Sequence, residues 1–138
     1  MVIDTSAIVA ILTNEPERHA FNAEVARARR RLVSAGTYLE SAVVIRARSG
    51  TDGLRDLRLF VAAAELSIVP FDADQAAIAL DAYLRYGKGY HQAALNFGDC
   101  FSYALSRKTA EPLLFKGNDF AQTDVLRAIP PEREPRAG

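Results

Sequence analysis

The sequence is poor in the residues that define several common kinds of site. Its 138 residues include one cysteine, Cys100, and two histidines, so an intrachain disulfide and a cysteine-rich zinc site are excluded. Basic and acidic residues balance at 17 each, which argues against a histone-like protein that holds nucleic acid through excess positive charge. No apolar run approaches the roughly 18 residues of a membrane span, and no secretory signal pattern is present. We therefore expect a cytoplasmic protein with no membrane association.

Short apolar runs alternate with helical stretches along the chain. The runs predicted as strands are Met1-Val2-Ile3, Leu32-Val33-Ser34, Ser67-Ile68-Val69 and Leu113-Leu114-Phe115. Strands that alternate with helices imply a parallel sheet with helices on both faces. We predict an α/β fold in a single domain over residues 1–129. The prolines and alternating charges of residues 130–138 predict a disordered tail.

One helix prediction bears directly on the candidate site. Thr37 is predicted to open a helix that runs to about Ser49-Gly50 and is followed by a turn at Thr51-Asp52-Gly53. The helical spacing of its apolar residues directs Leu39, Ala42 and Val43 toward the core.

Acidic residues recur just after a predicted strand or at a predicted helix start. They are Asp4, Glu40, Asp99 and Asp119. In an open parallel sheet, helix starts lie at the edge where the strands end, and ligands bind in the crevice there. Crowded carboxylates raise one another's pKa and destabilise the fold unless a cation neutralises them. Carboxylate oxygens are the ligands that Mg²⁺ or Mn²⁺ prefers, so the pattern predicts a metal site.

Each acid also has a purely structural interpretation. Asp4 can cap the first helix, and Thr37-Tyr38-Leu39-Glu40 matches a capping box. Asp99 can cap the helix that follows Gly98, and Asp119 can be a turn residue. Taken singly, capping explains each acid at least as well as catalysis does.

The order and spacing of the acidic motifs resemble the PIN domain, and specifically the VapC toxins of bacterial VapBC toxin–antitoxin pairs. The resemblance covers residues 1 to about 129. It rests on Met1-Val2-Ile3-Asp4-Thr5-Ser6, on Tyr38-Leu39-Glu40, on Leu95-Asn96-Phe97-Gly98-Asp99-Cys100-Phe101, and on Leu113-Leu114-Phe115-Lys116-Gly117-Asn118-Asp119-Phe120.

The resemblance implies a Rossmann-like parallel sheet of four to five strands and a Mg²⁺-dependent endoribonuclease in which Mn²⁺ can substitute. It implies Asp4 and Asp99 as the principal metal ligands and Glu40 as the third acid. Many relatives carry an aspartate where this chain has Gly117. Either Asp119 supplies that charge from a shifted position, or three acids complete the site. Ser6 resembles the hydroxyl residue beside the metal, although it also suits a helix start.

The same resemblance implies partners: an RNA substrate, a cognate VapB-like antitoxin, a homodimer and a toxin–antitoxin hetero-oligomer. The stretch from Tyr83 to His91 fits an RNA substrate. There Arg85, Lys88 and His91 interleave with tyrosines at positions 83, 86 and 90, which suits phosphate contacts and base stacking. The alternative is that Tyr83 packs in the core and Lys88 is merely solvated.

Other functions fit the sequence less well. A haloacid dehalogenase-type phosphatase needs a second aspartate two residues after the first, and that position is Ser6. Neither a dinucleotide-binding glycine pattern nor a Walker A sequence occurs. The alternative that stays open is a catalytically idle module that binds RNA or a protein partner. We also expect Cys100 to be a packed rather than a reactive thiol.

Overall fold

The computed structural model describes residues 1–131, so the predicted tail lies outside the described residues from position 132 onward. In chain order the elements are β1 (Val2–Ile3), α1 (Thr5–Leu12), α2 (Arg18–Arg27), β2 (Leu32–Ser34), α3 (Ala35–Ala63), β3 (Ser67–Val69), α4 (Ala73–Tyr86), α5 (Phe97–Thr109), β4 (Leu113–Leu114) and a 3-10 turn (Phe120–Gln122). Within this part of the chain, no helix combines the length and apolarity needed to cross a membrane.

The strands form one parallel sheet in the order β3-β2-β1-β4. This confirms the predicted α/β class. The prediction of four to five strands corresponds to these four strands in the described residues, with one further parallel bridge between Leu113 and Arg127 beside β4. Because β1 is central, the residue that follows it lies in the middle of the edge where the strands end.

Alternation along the strands divides the core into two layers. Ile3, Val33 and Leu114 belong to one apolar cluster, together with residues of α1, α2 and α3. Their neighbours Val2 and Leu32 belong to the other cluster, together with residues of α4 and α5. Successive strand side chains point to opposite faces of a sheet, so helices cover both faces, as predicted. Each fully buried aliphatic side chain of this kind contributes about 1.5–3 kcal/mol.

Helix α3 departs from its predicted bounds at two places. It begins two residues early, with Ser34 as its cap accepting from the Gly36 N–H at 3.3 Å. The predicted capping box between Thr37 and Glu40 is therefore wrong. The predicted end at about Ser49-Gly50 coincides with a break in the helical backbone at Gly50, whose φ is +65°, a value that favours glycine. The predicted turn at residues 51–53 is wrong, because those residues are helical.

The inward face of α3 matches the prediction at Ala42, which packs against the core, and differs from it at the other two residues. Leu39 and Val43 are 65% and 61% exposed, and the buried stripe instead includes Thr37, Ser41 and Ile45. The hydroxyls on this stripe have partners, since Thr37 contacts Ser102 and Ser41 contacts Thr5. Hydroxyl side chains that have hydrogen-bond partners can be buried at little cost in free energy. A prediction based only on apolar spacing therefore misses this buried stripe.

Candidate active site

Asp4 lies at the end of the central strand and caps α1. It is 3% exposed, and burial raises its pKa even though its hydrogen bonds oppose that shift. Its Oδ2 accepts from the Ser6 N–H at 3.0 Å and from Ser6 Oγ at 2.7 Å, while its Oδ1 accepts from Ser102 Oγ at 2.6 Å. The predicted capping role is thus present. It leaves a buried carboxylate in a fixed orientation.

Both hydroxyls that hold Asp4 are themselves held. Ser6 Oγ accepts from the backbone N–H of Lys116, in the loop after β4, at 3.0 Å. Ser102 Oγ lies 3.0 Å from Thr37 Oγ1, and both of these residues are fully buried. Asp4 is therefore tied to the loop after β4 through Ser6 and to helices α3 and α5 through Ser102.

Glu40 reaches the same edge from α3. Its Oε1 accepts a hydrogen bond from Thr5 Oγ1 at 2.5 Å. Its Oε2 lies against the first turn of α5, where a Cβ added to Gly98 would come within 1.7 Å of it. The absence of a side chain at Gly98 is what allows Glu40 to approach α5 this closely.

Asp99 is the third residue of α5 and forms a reciprocal capping box with Asn96. Its Oδ2 accepts from the Asn96 N–H at 3.0 Å. Burial, and after it the negative charges of Asp4, Asp119 and Glu40, raise the pKa of Asp99 to about 7, although its hydrogen bond from Asn96 acts in the opposite direction. Asp99 was predicted as the cap of this helix. It takes part in capping, but from the third helical position, and the cap residue is Asn96. The four predicted acids are also close enough to repel.

Asp119 occupies the outer side of the cluster. It is exposed, it precedes the 3-10 turn, and its side chain makes no capping hydrogen bond there. Gly117, two residues earlier, has a φ of +97° and nothing within 4 Å of an added Cβ. This backbone conformation suits glycine.

Within residues 1–131, no basic side chain forms an ion pair with the acid cluster. None of the ion pairs there involves Asp4, Glu40, Asp99 or Asp119. Lys116, the basic residue on the adjoining loop, pairs with Glu15 and Glu17 instead. Uncompensated carboxylates with oxygen-only donors are the chemistry that a hard divalent cation suits.

The side chains are not, however, already gathered around a metal position. Within the described residues, no three Asp, Glu, His or Cys side chains are placed so that they could hold a metal ion together. Asp99 is engaged with Asn96 and Glu40 with Thr5. A cation would compete with these contacts for the two carboxylates. The donor atoms and the negative charge therefore fit a divalent metal. The side chains are oriented by their hydrogen bonds to neighbouring protein groups and not toward a common metal position.

The basic loop residues make contacts away from the acids. The Arg85 guanidinium lies over the Tyr86 ring at 4.9 Å and pairs with Asp124 at 3.9 Å. His91 Nδ1 accepts from the Ala93 N–H at 2.9 Å, and Lys88 is exposed. No hydrogen bond or ion pair within residues 1–131 joins these side chains to the acid cluster.

The predictions for Cys100 and Tyr83 can also be compared with the structure. Cys100 is buried, and burial raises its pKa to about 11, with Asp99 adding to the shift. This confirms a packed thiol, and a raised pKa disfavours the reactive thiolate. Tyr83 is partly buried against Ala79 and Cys100. This agrees with the alternative in which Tyr83 packs in the core.

Sequence reasoning missed three residues of the site: Thr5, Gly98 and Ser102. Ser102 follows Asp99 by three residues, a spacing that puts both on one face of a helix. That spacing was the available signal for Ser102. Contact between Thr5 and Glu40 depends on how two distant segments meet, and no local pattern reports it.

Comparisons with known proteins agree with this architecture. The PIN domain family model matches residues 1–126. A protein named ribonuclease VapC from Mycolicibacterium smegmatis is 54% identical over 125 residues, covering 91% of this chain and 97% of that protein.

Solved structures show the same fold at low sequence identity. Mycobacterium tuberculosis VapC20, described as a sarcin-ricin loop cleaving toxin, superposes with a TM-score of 0.74 at 16% identity, covering 91% of this chain and 95% of that one. VapBC2 from Rickettsia felis, bound to a DNA fragment from its promoter, superposes with a TM-score of 0.72 at 14% identity, covering 91% and 94%. From the family match and the 54% identity together, the chain belongs to the PIN-domain family and, within it, to the VapC ribonucleases.

Proposed function

We propose that this VapC-family ribonuclease is an endoribonuclease toxin that hydrolyses RNA phosphodiester bonds with Mg²⁺, and that Mn²⁺ can replace Mg²⁺. PIN-domain VapC ribonucleases generally depend on a divalent metal. The observation that carries the proposal is Asp99, whose pKa is raised to about 7 by burial and by three neighbouring acids. A carboxyl in such surroundings becomes favourable as an anion when a divalent cation joins it.

We assign Asp4, Asp99 and Glu40 as the residues that would hold the metal. Asp4 and Glu40 are fixed by hydroxyl donors, and Asp99 is held through its Oδ2 by the Asn96 N–H. Asp119 is exposed and its charge acts on Asp99, which supports a role as a fourth acid from its shifted position. The chemistry supplied by a bound divalent cation is the activation of water and the neutralisation of phosphate charge.

The surrounding side chains have supporting roles. Ser6 orients Asp4 with both its N–H and its hydroxyl. Arg85, Lys88 and His91 remain proposed contacts for RNA phosphates, supported by the exposure of Arg85 and Lys88 near the tyrosine rings. His91 uses Nδ1 as an acceptor within its loop, so its part is a contact and not that of a general base.

The proposed partners follow from the family. We propose that a VapB-type antitoxin holds the enzyme inactive in a toxin–antitoxin complex, as the Rickettsia felis VapBC2 pair suggests. A toxin that cleaves cellular RNA would act in the cytoplasm.

A homodimer is supported by large apolar side chains that α3, α4 and α5 leave exposed. Leu39, Leu80, Leu84 and Phe97 are each more than half exposed. A groove of about 500 Å³ between α4 and α5 includes Leu80 and Phe97 in its lining. Contiguous exposed apolar surface marks association sites, and Leu80 and Phe97 share one groove. Sedimentation equilibrium of the wild type and of Leu80→Asp should give a dimer and a monomer, and a monomeric wild type would refute the proposal.

RNA cleavage by the purified protein tests the proposed activity. Wild type, Asp4→Asn and Asp99→Asn are incubated with a defined single-stranded RNA in Mg²⁺, Mn²⁺ or EDTA, with contaminating nuclease excluded. We expect metal-dependent cleavage by the wild type and a loss of at least about 100-fold in the variants, since each would lack a charged ligand. The alternative of an idle binding module predicts that every variant binds RNA or antitoxin and that none cleaves.

A further inference from the structure

The hydroxyls of Thr37 and Ser102 form a chain that ends on Asp4. Ser102 Oγ lies 2.6 Å from Asp4 Oδ1 and 3.0 Å from Thr37 Oγ1. An ionised carboxylate accepts hydrogen bonds and cannot donate them, and a hydroxyl has one proton. While Asp4 is ionised, as a metal ligand would be, the Ser102 proton is committed to Asp4, and Thr37 donates to Ser102. The chain has one direction, from α3 through α5 to the end of β1.

Counting acceptor positions indicates which oxygen of Asp4 has room for a further partner. A carboxylate offers about four acceptor positions, two on each oxygen. Oδ2 uses two of them, for the N–H and the hydroxyl of Ser6. Oδ1 uses one, for Ser102. The remaining position is on Oδ1, the oxygen that Ser102 orients.

We infer that Ser102, supported by Thr37, is a positioning residue that aims Asp4 Oδ1 at the divalent cation. The inference rests on the proposed function, because it assumes that Asp4 is a metal ligand. Thr37 and Ser102 are fully buried, so no water substitutes for either hydroxyl in this chain. Hydrogen-bond partners of metal ligands fix the orientation of those ligands, and their loss typically weakens metal affinity by about 10–100-fold.

A matched control exists one turn further along α5. Ser106 is buried like Ser102, and its hydroxyl donates to the Glu111 carbonyl at 2.7 Å instead of to the acid cluster. Ser106→Ala therefore removes a buried serine hydrogen bond from the same helix without touching Asp4. A general effect of loosening α5 would appear in both variants, whereas an effect on Asp4 would appear only in Ser102→Ala.

The test is calorimetric titration of the purified full chain with MnCl₂, alongside urea unfolding in EDTA. We expect Ser102→Ala to bind Mn²⁺ about 10–100-fold more weakly than wild type, with Ser106→Ala binding like wild type although its stability is also reduced. Thr37→Val should weaken Mn²⁺ binding by a smaller factor, and Thr37→Ser, which keeps the hydroxyl, should restore it.

The remaining outcomes overturn the inference in distinguishable ways. Equal Mn²⁺ affinity in wild type, Ser102→Ala and Thr37→Val would remove the positioning role and leave the metal site standing. If Mn²⁺ affinity fell equally in Ser102→Ala and Ser106→Ala, the cause would be the loosened packing of α5 and not the orientation of Asp4. If the wild type itself does not bind Mn²⁺, both the inference and the proposed metal site fail. If Ser102→Ala does not fold, the two Thr37 variants decide the question.

Discussion

Replacing Asp99 with asparagine should make the metal-free protein more stable at neutral pH, even though the change removes a proposed ligand. The pKa of Asp99 is raised from 3.8 to about 7, chiefly by burial and then by its acidic neighbours. A raised carboxyl pKa means that the folded state holds this proton at pH values where the unfolded state has released it. Stability is therefore lost as pH rises from about 4 to about 7, and the loss is complete above pH 7.

The size of this effect can be worked from the shift. Three pKa units at about 1.4 kcal/mol each give about 4 kcal/mol, and because Asp99 is only partly buried we take about half, or about 2 kcal/mol. Asparagine still accepts a hydrogen bond from the Asn96 N–H but loses its charge, which costs about 0.5–1 kcal/mol at a helix start. Asp99→Asn should therefore gain about 1 kcal/mol at pH 8, and the gain should vanish below pH 4.

Urea unfolding in EDTA at several pH values from 8 down to below 4 measures this gain. Asp72→Asn is the matched control, since Asp72 also caps a helix but its pKa is lowered, first by the Gln75 N–H and then by Lys108. That variant should lose stability, and its deficit should shrink as pH falls through the lowered pKa. The reasoning would be refuted if Asp99→Asn were less stable than wild type at pH 8, or if its advantage did not depend on pH.

Three further outcomes are expected. Gly98→Ala should reduce cleavage at least tenfold, because its Cβ would displace Glu40, while the circular dichroism spectrum stays that of wild type. Cleavage at the wild-type rate would show that Glu40 is not part of the site. Saturating Mn²⁺ should raise the melting temperature of wild type by several degrees and that of Asp4→Asn much less; equal shifts would place the metal elsewhere. Native Cys100 should react with a maleimide at pH 8 far more slowly than in urea, since it is buried; equal rates would contradict that burial.

The strands and the positions of the clustered acids at strand ends and helix starts could be predicted from the sequence because both depend on local pattern. Apolar runs that end in a carboxylate mark strand ends, and Val2 and Ile3 before Asp4 form such a run. The parallel sheet then follows from the alternation of strands with helices. Family resemblance added the order of the acids.

The start of α3 and the contacts of the acids depend on tertiary packing. The sequence placed the helix start at Thr37, but Ser34 is the cap, because β2 passes into the helix with no loop between them. The inward face of α3 was misjudged for a related reason. Thr37 is buried because Ser102 of α5 supplies a partner, and nothing near Thr37 in the sequence reports a residue 65 positions away.

The central claim is that Asp4, Glu40 and Asp99 hold the divalent cation with which the enzyme cleaves RNA. Crystals grown with Mn²⁺ and measured near the manganese absorption edge test it most directly, since an anomalous difference map locates the ion without assuming its ligands. We predict a peak bonded to Asp4 Oδ1 and to the carboxylate of Asp99. A peak only at other carboxylates, from crystals of protein that cleaves RNA in Mn²⁺, would contradict the claim.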